Sequence, residues 1–205
     1  MTEKEKMLSG GLYLAQDQVL AQEYKNAKRL VRLFNQTTED EPERRAACLK
    51  ELLGSTGENI WIEPTFHCDY GRNIFVGENF GANYDCIILD VCPVTIGDNV
   101  FFGPRVCVFT ATHPIDAEVR ATGLEYGKPV VIGSDVWVGG GTVINPGVTI
   151  GCNVVIGSGS VVTKSIPDGV IAAGNPCRVL RPITDEDRGY WRRKQKEYRK
   201  GEDRK

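Results

Sequence analysis

The chain has 205 residues, 41% of them hydrophobic and 25% charged, with a formal net charge of -2. This composition is typical of a globular protein with one sizeable core, and so balanced a charge argues against a nucleic acid partner. No apolar run approaches the roughly 20 residues that span a membrane, and the charged residues Met1 to Lys6 lead into no secretory segment. We therefore expect a cytoplasmic protein that binds neither nucleic acid nor membranes.

Residues 1–54 have the pattern of helices. Apolar residues recur at three- and four-residue steps in two stretches, which predicts two helices that form an N-terminal cap. Asp17 is a suitable N-cap for the first helix, and Pro42 suits the first turn of the second. We expect Gly54 to end the second helix.

Residues 55–182 carry aliphatic residues at six-residue steps, a period that neither a helix nor a simple alternating strand has. The following residue is usually glycine, which tolerates positive φ, so we predict a short strand in each hexad and a sharp corner at the glycine. Hexads must stack to bury their aliphatic row, which predicts a parallel β-helix. The clearest hexads have Ile132, Val138, Ile144, Ile150, Ile156 and Val162, and the residues after the first five are Gly133, Gly139, Asn145, Gly151 and Gly157.

Two interruptions break the repeat. Two residues are gained around Asp90 to Pro93, and the period disappears between Val108 and Val130. Residues 110–129 are polar and predict a loop extruded from the solenoid. Val108 and Ile132 are 24 residues, or four hexads, apart, so the register can resume after the loop. Long ordered loops are usually functional.

The last segment, residues 183–205, is charged. It predicts a helix near Asp185 to Lys200 that caps the last coil, and its basic residues after Arg188 are expected to be solvated. The seven cysteines are odd in number and form no C-x-x-C pair, which argues against a disulfide framework and against a zinc site. We expect buried, reduced thiols and no metal. Cys68 and Cys86 are eighteen residues apart and are predicted to stack on neighbouring coils.

Short motifs add a family resemblance that covers nearly the whole chain and weakens only after about Leu180. The motifs are Ile62–Phe66, Cys68–Gly71, Thr110–Asp116, Asn145–Gly151 and Ala173–Pro176. They closely resemble those of the maltose and galactoside O-acetyltransferases, which are hexapeptide-repeat acyltransferases, and are nearer to the maltose enzymes. The resemblance implies a mainly β protein, a left-handed parallel β-helix assembled as a homotrimer with an active site in each cleft between subunits. The left hand is implied by the resemblance alone.

The resemblance also implies a reaction, the transfer of an acetyl group from acetyl-CoA to a sugar hydroxyl of maltose or glucose, without metal. His113 matches the family's catalytic histidine and is assigned as general base. Asn83 matches the asparagine that faces the acetyl oxygen as it becomes an oxyanion, and it also counts as a substrate contact. Because Asn83 occupies a slot that glycine favours, a corner role alone is the alternative. His67 lacks such a context and is expected to be a surface or packing residue.

Four carboxylates are candidates for binding the sugar acceptor. Asp69 and Asp90 match or adjoin acceptor positions of the family, where they would accept hydrogen bonds from sugar hydroxyls. Asp17 lies near another such position, although helix capping also explains it. Glu125 follows His113 in the loop and either lines the acceptor pocket or is a solvated acid.

The resemblance carries the coenzyme A contacts to seven residues in the last coils and their exit strand. Small residues let an extended thioester arm lie against the backbone, an indole walls the pantetheine channel, and cations bind phosphates. Each basic residue alone could equally be a solvated charge. The seven are Trp137, Gly140, Ser158, Thr163, Lys164, Arg178 and Arg181.

Other functions remain open from the sequence. A galactoside or antibiotic O-acetyltransferase differs from a maltose enzyme at few residues. A non-catalytic β-helix scaffold would use the flat sides for assembly. A metal-dependent hydratase on the same fold would need three histidines per zinc, and the chain has two, His67 and His113.

Overall fold

The computed structural model describes residues 1–202, and its core is a β-solenoid of six coils with helices before and after it. Each coil crosses three parallel sheets in the same order, which we name the first, second and third sides. The predicted parallel β-helix with an N-terminal helical cap and a C-terminal helix is confirmed. The helices are α1 (Glu3–Leu8), α2 (Gln18–Asn35), α3 (Pro42–Leu52), α4 (Ala117–Ala121) and α5 (Asp185–Glu202).

The strands divide among the three sides and one small antiparallel sheet. The first side holds β4 (Ile74–Val76), β7 (Val94–Ile96), β12 (Val130–Ile132) and β15 (Thr149–Ile150). The second side holds β2 (Ile60–Ile62), β5 (Phe80–Ala82), β8 (Phe101–Phe102), β13 (Trp137–Val138), β16 (Val155–Ile156), β18 (Val170–Ala173) and β19 (Arg178–Pro182). The third side holds β3 (Phe66–Cys68), β6 (Cys86–Leu89), β9 (Cys107–Phe109), β14 (Val143–Ile144) and β17 (Val161–Val162). The antiparallel sheet joins β1 (Tyr13–Leu14), β10 (Ala111–Thr112) and β11 (Leu124–Gly127).

Coil length changes along the solenoid. Trp137 pairs with Val155, so the regular coils have eighteen residues, whereas Cys86 pairs with Phe66 and the first coils have twenty. Cys68 therefore lies opposite Ile88, and the predicted stacking of Cys68 on Cys86 is wrong. Val108 and Ile144 pair on strands that flank the loop. They are separated by as many residues as two regular coils contain, so the register resumes after the loop as expected.

The glycines of the hexads have a different role from the one predicted. Gly139 does not have positive φ; the left-handed residue comes two positions later, at Gly141 (φ 70°), and likewise at Asp135 (φ 60°) and Asn153 (φ 54°). Glycine is needed at 139 because the coils approach closely there. A Cβ on Gly139 would lie 2.5 Å from the backbone nitrogen of Ser158 in the next coil.

The aliphatic row fills the interior of the solenoid. Val138, Ile144, Ile156 and Val162 are fully buried, as the six-residue period requires. Each such side chain contributes about 1.5 to 3 kcal/mol through its removal from water. Because each coil supplies only a few of them, the row is continuous only when the coils stack.

The N-terminal cap contains three helices, one more than predicted. The short α1 was missed, although Thr2 and Glu5 form a capping box at its start. Asp17 caps α2 and Pro42 occupies the first turn of α3, as expected. Gly54 does not adopt the left-handed conformation of a helix end; a Cβ there would lie 2.7 Å from the Phe75 ring.

The C-terminal helix α5 does not cover the last coil as predicted, since every side chain from 190 to 200 is exposed. Instead β19 covers the edge of the second side by pairing antiparallel with β18. The predicted tail continues to residue 205, and its last three residues lie outside the described range. Within residues 1–202, no helix combines the length and hydropathy required to cross a bilayer.

The cysteines are all free thiols. Four of them, Cys68, Cys86, Cys92 and Cys177, are buried as expected. Cys152 is exposed, because its side chain lies outside the solenoid at a corner, where it follows Gly151.

Candidate active site

A cavity of about 530 Å³ opens where the N-terminal cap meets the early coils and the loop. The strand β1 forms one wall, and β11 returns antiparallel beside it, with Tyr13 opposite Glu125. The Tyr13 hydroxyl donates a hydrogen bond to Glu125 Oε2 at 3.0 Å. The cavity is lined by Tyr13, Ala15, Gln16, Ala21, Tyr24, Asp69, Tyr70, Val91 and Glu125.

The extruded loop is more ordered than its polar sequence indicated. The strands β10 and β11 run antiparallel, with Ala111 opposite Gly127, and α4 lies between them. Gly127 brings β11 against the solenoid, since a Cβ there would lie 2.7 Å from both Cys92 Sγ and Val91 Cγ2. The loop thereby places the half-buried Glu125 on the cavity wall.

Burial controls the charges in this cavity. It raises the pKa of Asp69, an effect that the Lys28 ammonium opposes and the Glu125 carboxylate adds to. Burial also raises the pKa of Tyr13 and Tyr70 well above the usual range, so both phenols keep their protons. The cavity therefore combines hydroxyl donors with carboxylate acceptors on an aromatic surface, a combination that suits a neutral ligand rich in hydroxyl groups.

Asp90 does not line the cavity, and the prediction that it binds the acceptor directly is wrong. Its side chain is fully buried, and its carboxylate accepts hydrogen bonds from the backbone N–H groups of Asp69, Tyr70 and Asn73. Burial raises the pKa of Asp90 to about 7, against the lowering effect of these N–H donors. All its acceptor capacity faces the protein interior.

Asp17 also lies away from the cavity lining. Its Oδ1 accepts hydrogen bonds from the backbone nitrogens of Val19 and Leu20 at 3.0 and 3.2 Å, which is the capping role. Its neighbour Gln16 lines the cavity instead. The sequence reasoning missed Gln16, Tyr13 and Tyr24, since nothing local marks them as wall residues.

His113 and Asn83 lie at different corners of the solenoid. His113 is exposed and follows β10, where the loop leaves the corner between the third and first sides, here the His113 corner. Asn83 is half-buried and follows β5 at the corner between the second and third sides, here the Asn83 corner. The third side separates them, and the four residues of β6 alone span about 13 Å of it. One chain does not bring the two side chains together.

Backbone conformation does not explain why asparagine stands at position 83. The left-handed residue at its corner is Asp85 (φ 62°), two positions later, as in the other hexads. Asn83 Oδ1 accepts the Tyr84 backbone N–H at 2.8 Å. No acceptor within residues 1–202 binds its Nδ2 group, so that amide can donate to a ligand.

Four of the seven predicted coenzyme A residues lie at the same two corners. Gly140 and Ser158 stack on the Asn83 corner in successive coils, where the Gly159 N–H donates to Gly140 O at 2.9 Å. Thr163 and Lys164 are exposed at the His113 corner, after β17. Each corner therefore carries two of the seven predicted cofactor contacts.

The remaining predicted cofactor residues lie on the second side. Trp137 is 56% exposed on β13. Arg178 is exposed on β19 and donates to the Cys177 carbonyl at 2.8 Å. Arg181 makes a two-point ion pair with Asp187 at 2.6 and 2.9 Å, so its charge is already matched within the chain.

The third side is apolar on its outer surface. Ile87, Cys107, Val143 and Val161 lie in register on successive strands and are only half-buried. His67 begins this column and is exposed, as expected for a surface residue. Among the described residues, no three His, Cys, Asp or Glu side chains converge to hold a metal ion.

Three family descriptions match the chain. They are the maltose acetyltransferase hexapeptide capping motif over residues 6–57, the bacterial transferase hexapeptide (six repeats) over 129–164, and the hexapeptide repeat of succinyl-transferase over 93–113. The matches cover the helical cap, the late coils and one early coil with the start of the loop.

Whole-chain relatives agree with these matches. The galactoside O-acetyltransferase of Escherichia coli strain K12 is 44% identical over 91% of this chain and 92% of its own length. The crystal structure of a maltose O-acetyltransferase from Clostridium difficile 630 is 60% identical with a TM-score of 0.89, over 90% of this chain and 98% of that one. A galactoside acetyltransferase in complex with coenzyme A is 45% identical with a TM-score of 0.89, over 92% and 94%. The chain belongs to the maltose and galactoside O-acetyltransferase family of hexapeptide-repeat acetyltransferases.

Proposed function

We propose that this protein transfers the acetyl group of acetyl-CoA to a hydroxyl of a sugar of the glucose or maltose type. One observation carries the proposal: His113 and Asn83 occupy the two corners that bound the third side, and each of these corners carries two of the seven predicted cofactor contacts. Such a division is expected of a site that two copies of the chain build together. The similar galactoside acetyltransferase with bound coenzyme A supports the choice of acyl donor.

A homotrimer brings the two corners together. If the third sides of three copies face a common axis, the His113 corner of each copy lies beside the Asn83 corner of the next. The half-buried column of Ile87, Cys107, Val143 and Val161 supports this arrangement, because it presents apolar surface that assembly would remove from water. Each cleft between copies would then hold one complete site.

The residues of the cleft fit coenzyme A. On the Asn83 corner, Gly140 and Ser158 leave room for the extended pantetheine arm, and the exposed Trp137 ring offers it an apolar wall. Lys164 and Arg178 are exposed cations for the phosphates. Arg181 would have to exchange its bond with Asp187 for a phosphate, which makes it a weaker contact than the other two.

The residues support direct transfer without an acyl-enzyme. His113 takes the proton of the sugar hydroxyl as its oxygen bonds to the acetyl carbon, and later passes that proton to the departing thiolate. The Asn83 amide donates to the acetyl oxygen as negative charge develops there, an effect typically worth about 2.7 to 4 kcal/mol. The products are the acetylated sugar and free coenzyme A thiol.

The cavity beside the cleft supports a sugar as acceptor. The Asp69 and Glu125 carboxylates can accept hydrogen bonds from hydroxyls, and Tyr13, Tyr24 and Tyr70 present ring faces to the apolar side of a pyranose. Galactosides satisfy the same chemistry, so a galactoside O-acetyltransferase is the second candidate, supported by the 44% identical relative.

An acceptor screen tests the proposal. Thiol release from acetyl-CoA is followed with glucose, maltose, a thiogalactoside and chloramphenicol, and we expect the highest kcat/KM with glucose or maltose. A kcat/KM that is highest with the thiogalactoside would support the galactoside O-acetyltransferase instead. A kcat/KM that is highest with chloramphenicol would support a xenobiotic O-acetyltransferase. If no acceptor raises thiol release above the rate without acceptor, the protein acts as a non-catalytic scaffold.

A further inference from the structure

We propose that Asp90 is a positioning residue of the acceptor cavity, whose buried carboxylate holds the turn at residues 69–73 that forms one cavity wall. This inference rests on the proposed function, because it takes the cavity as the acceptor site. It also replaces the expectation that Asp90 binds sugar directly.

The carboxylate clamps three backbone groups of one turn. Asp90 Oδ1 accepts the N–H groups of Asp69 at 3.0 Å and Tyr70 at 2.9 Å, and Oδ2 accepts the Asn73 N–H at 3.3 Å. The Asn73 side-chain amide donates in return to the Asp90 carbonyl oxygen at 2.7 Å. Asp69 and Tyr70 are themselves wall residues, so the clamp sets where their side chains enter the cavity.

The segment from Asp90 to Cys92 also holds the other cavity walls in place. The Cys92 N–H donates to Thr110 Oγ1 at 3.0 Å, and that hydroxyl donates to the Leu89 carbonyl at 2.7 Å, which fixes the base of the loop. The Cys92 thiol donates to the Met7 carbonyl at 3.1 Å, which fixes the end of α1. Val91, between Asp90 and Cys92, lines the cavity directly.

The two residues gained around Asp90 to Pro93 therefore have a function. In the twenty-residue coils the chain has room to turn one carboxylate inward, whereas the regular coils have Pro146 and Lys164 at the matching positions, and neither is buried. Burying a carboxylate is costly unless its oxygens accept hydrogen bonds, and here three backbone N–H groups of the neighbouring coil donate to Asp90. The buried carboxylate thus lowers the stability of the fold but fixes the turn at residues 69–73 in the cavity wall.

The variant Asp90→Asn tests the clamp by kinetics. Its amide oxygen can still accept from Asp69 and Tyr70, but its NH₂ group cannot accept from Asn73, so the turn is loosened at one end. We expect the acceptor KM to rise about tenfold or more, with the acetyl-CoA KM within twofold of the wild type. Loss of folded protein would instead lower the apparent kcat and leave both KM values unchanged, and that result would overturn the proposal.

A matched control is Asp98→Asn. Asp98 Oδ1 also accepts a backbone N–H of a neighbouring coil, that of Glu78 at 2.8 Å, but at the corner between the first and second sides. We expect its acceptor KM to match the wild type. Equal KM changes in both variants would mean that any corner carboxylate acts through general stability, against the proposal.

Hydrogen exchange tests the clamp without any acceptor. Amides 69–73 should exchange faster in Asp90→Asn than in the wild type, and unchanged exchange there would overturn the proposal. If the wild type acetylates no sugar while these amides still exchange faster, the clamp stands and the proposed function fails. If Asp90→Asn does not fold, Asn73→Ala decides: a threefold or larger rise in acceptor KM supports the clamp, and an unchanged KM overturns it.

Discussion

The hydroxyl of Tyr13 donates a 3.0 Å hydrogen bond to Glu125 across 112 residues of sequence. This bond joins the N-terminal segment to the loop that carries His113, because Tyr13 and Glu125 face each other in the β1–β11 pair. It places a phenol and a carboxylate side by side on the wall of the proposed acceptor cavity. The loop and the cap therefore form one structure at this point.

The variant Tyr13→Phe should weaken acceptor binding and leave cofactor binding intact. It removes one hydrogen bond to a charged group, typically worth about 1.5 to 3 kcal/mol, and keeps the ring that fills the wall. We expect the acceptor KM to rise about tenfold and the acetyl-CoA KM to stay constant in steady-state assays. Tyr190→Phe, an exposed tyrosine on α5, is the control and should behave as the wild type.

Mixing two inactive variants should restore activity. His113→Ala and Asn83→Ala are each expected to lose at least about 100-fold in kcat/KM. In a trimer reassembled from equal amounts of both, about a quarter of the clefts combine an intact His113 from one copy with an intact Asn83 from the next. The check is thiol release before and after denaturation and refolding of the mixture. If the mixture stays as inactive as its parts, each site lies within a single copy.

The stability of the protein should carry a pH dependence due to Asp90. The pKa of Asp90 is raised to about 7 in the fold from an ordinary value of 3.8, so between these values the folded state binds the proton that the unfolded state has lost. The contribution of Asp90 to the free energy of unfolding is therefore greatest below about pH 4. It is lost as the pH rises to 7 and above, and the total loss is at most about 4 kcal/mol.

Urea unfolding at pH 4.5 and pH 8, at equal protein concentration, checks this sign. The stability of the wild type relative to Asp90→Asn should fall from the lower to the higher pH. A difference between the two proteins that rises with pH would show instead that the N–H donors outweigh burial and that Asp90 is ionised throughout.

The two kinds of glycine at a corner should respond differently to asparagine. Gly159→Asn should cost less than about 1 kcal/mol, because Gly159 has positive φ, which asparagine tolerates, and a Cβ there meets nothing within 4 Å. Gly139→Asn should cost at least about 2 kcal/mol, because the added Cβ would meet the Ser158 backbone. Thermal unfolding of both variants gives the comparison. Equal losses would mean that close approach does not set the requirement for glycine at position 139.

The sequence by itself determined the solenoid, because a six-residue period of aliphatic residues such as Val138 and Ile144 can be buried only when coils stack. It also determined that His113 and Asn83 are candidates, since each matches a residue of the family that the chain resembles, and His113 lies in a shared motif. These conclusions depend only on which residues follow one another along the chain, and the sequence gives that information directly.

Only the tertiary structure decided which residues face one another. The antiparallel return of β11 brings Glu125 to Tyr13, and the twenty-residue coil turns Asp90 inward and away from the cavity. The corner that each residue occupies separates His113 from Asn83 within one chain. The physical reason is that a single residue gained or lost changes which side chains meet in the next coil, whereas the period that predicts the fold survives such changes.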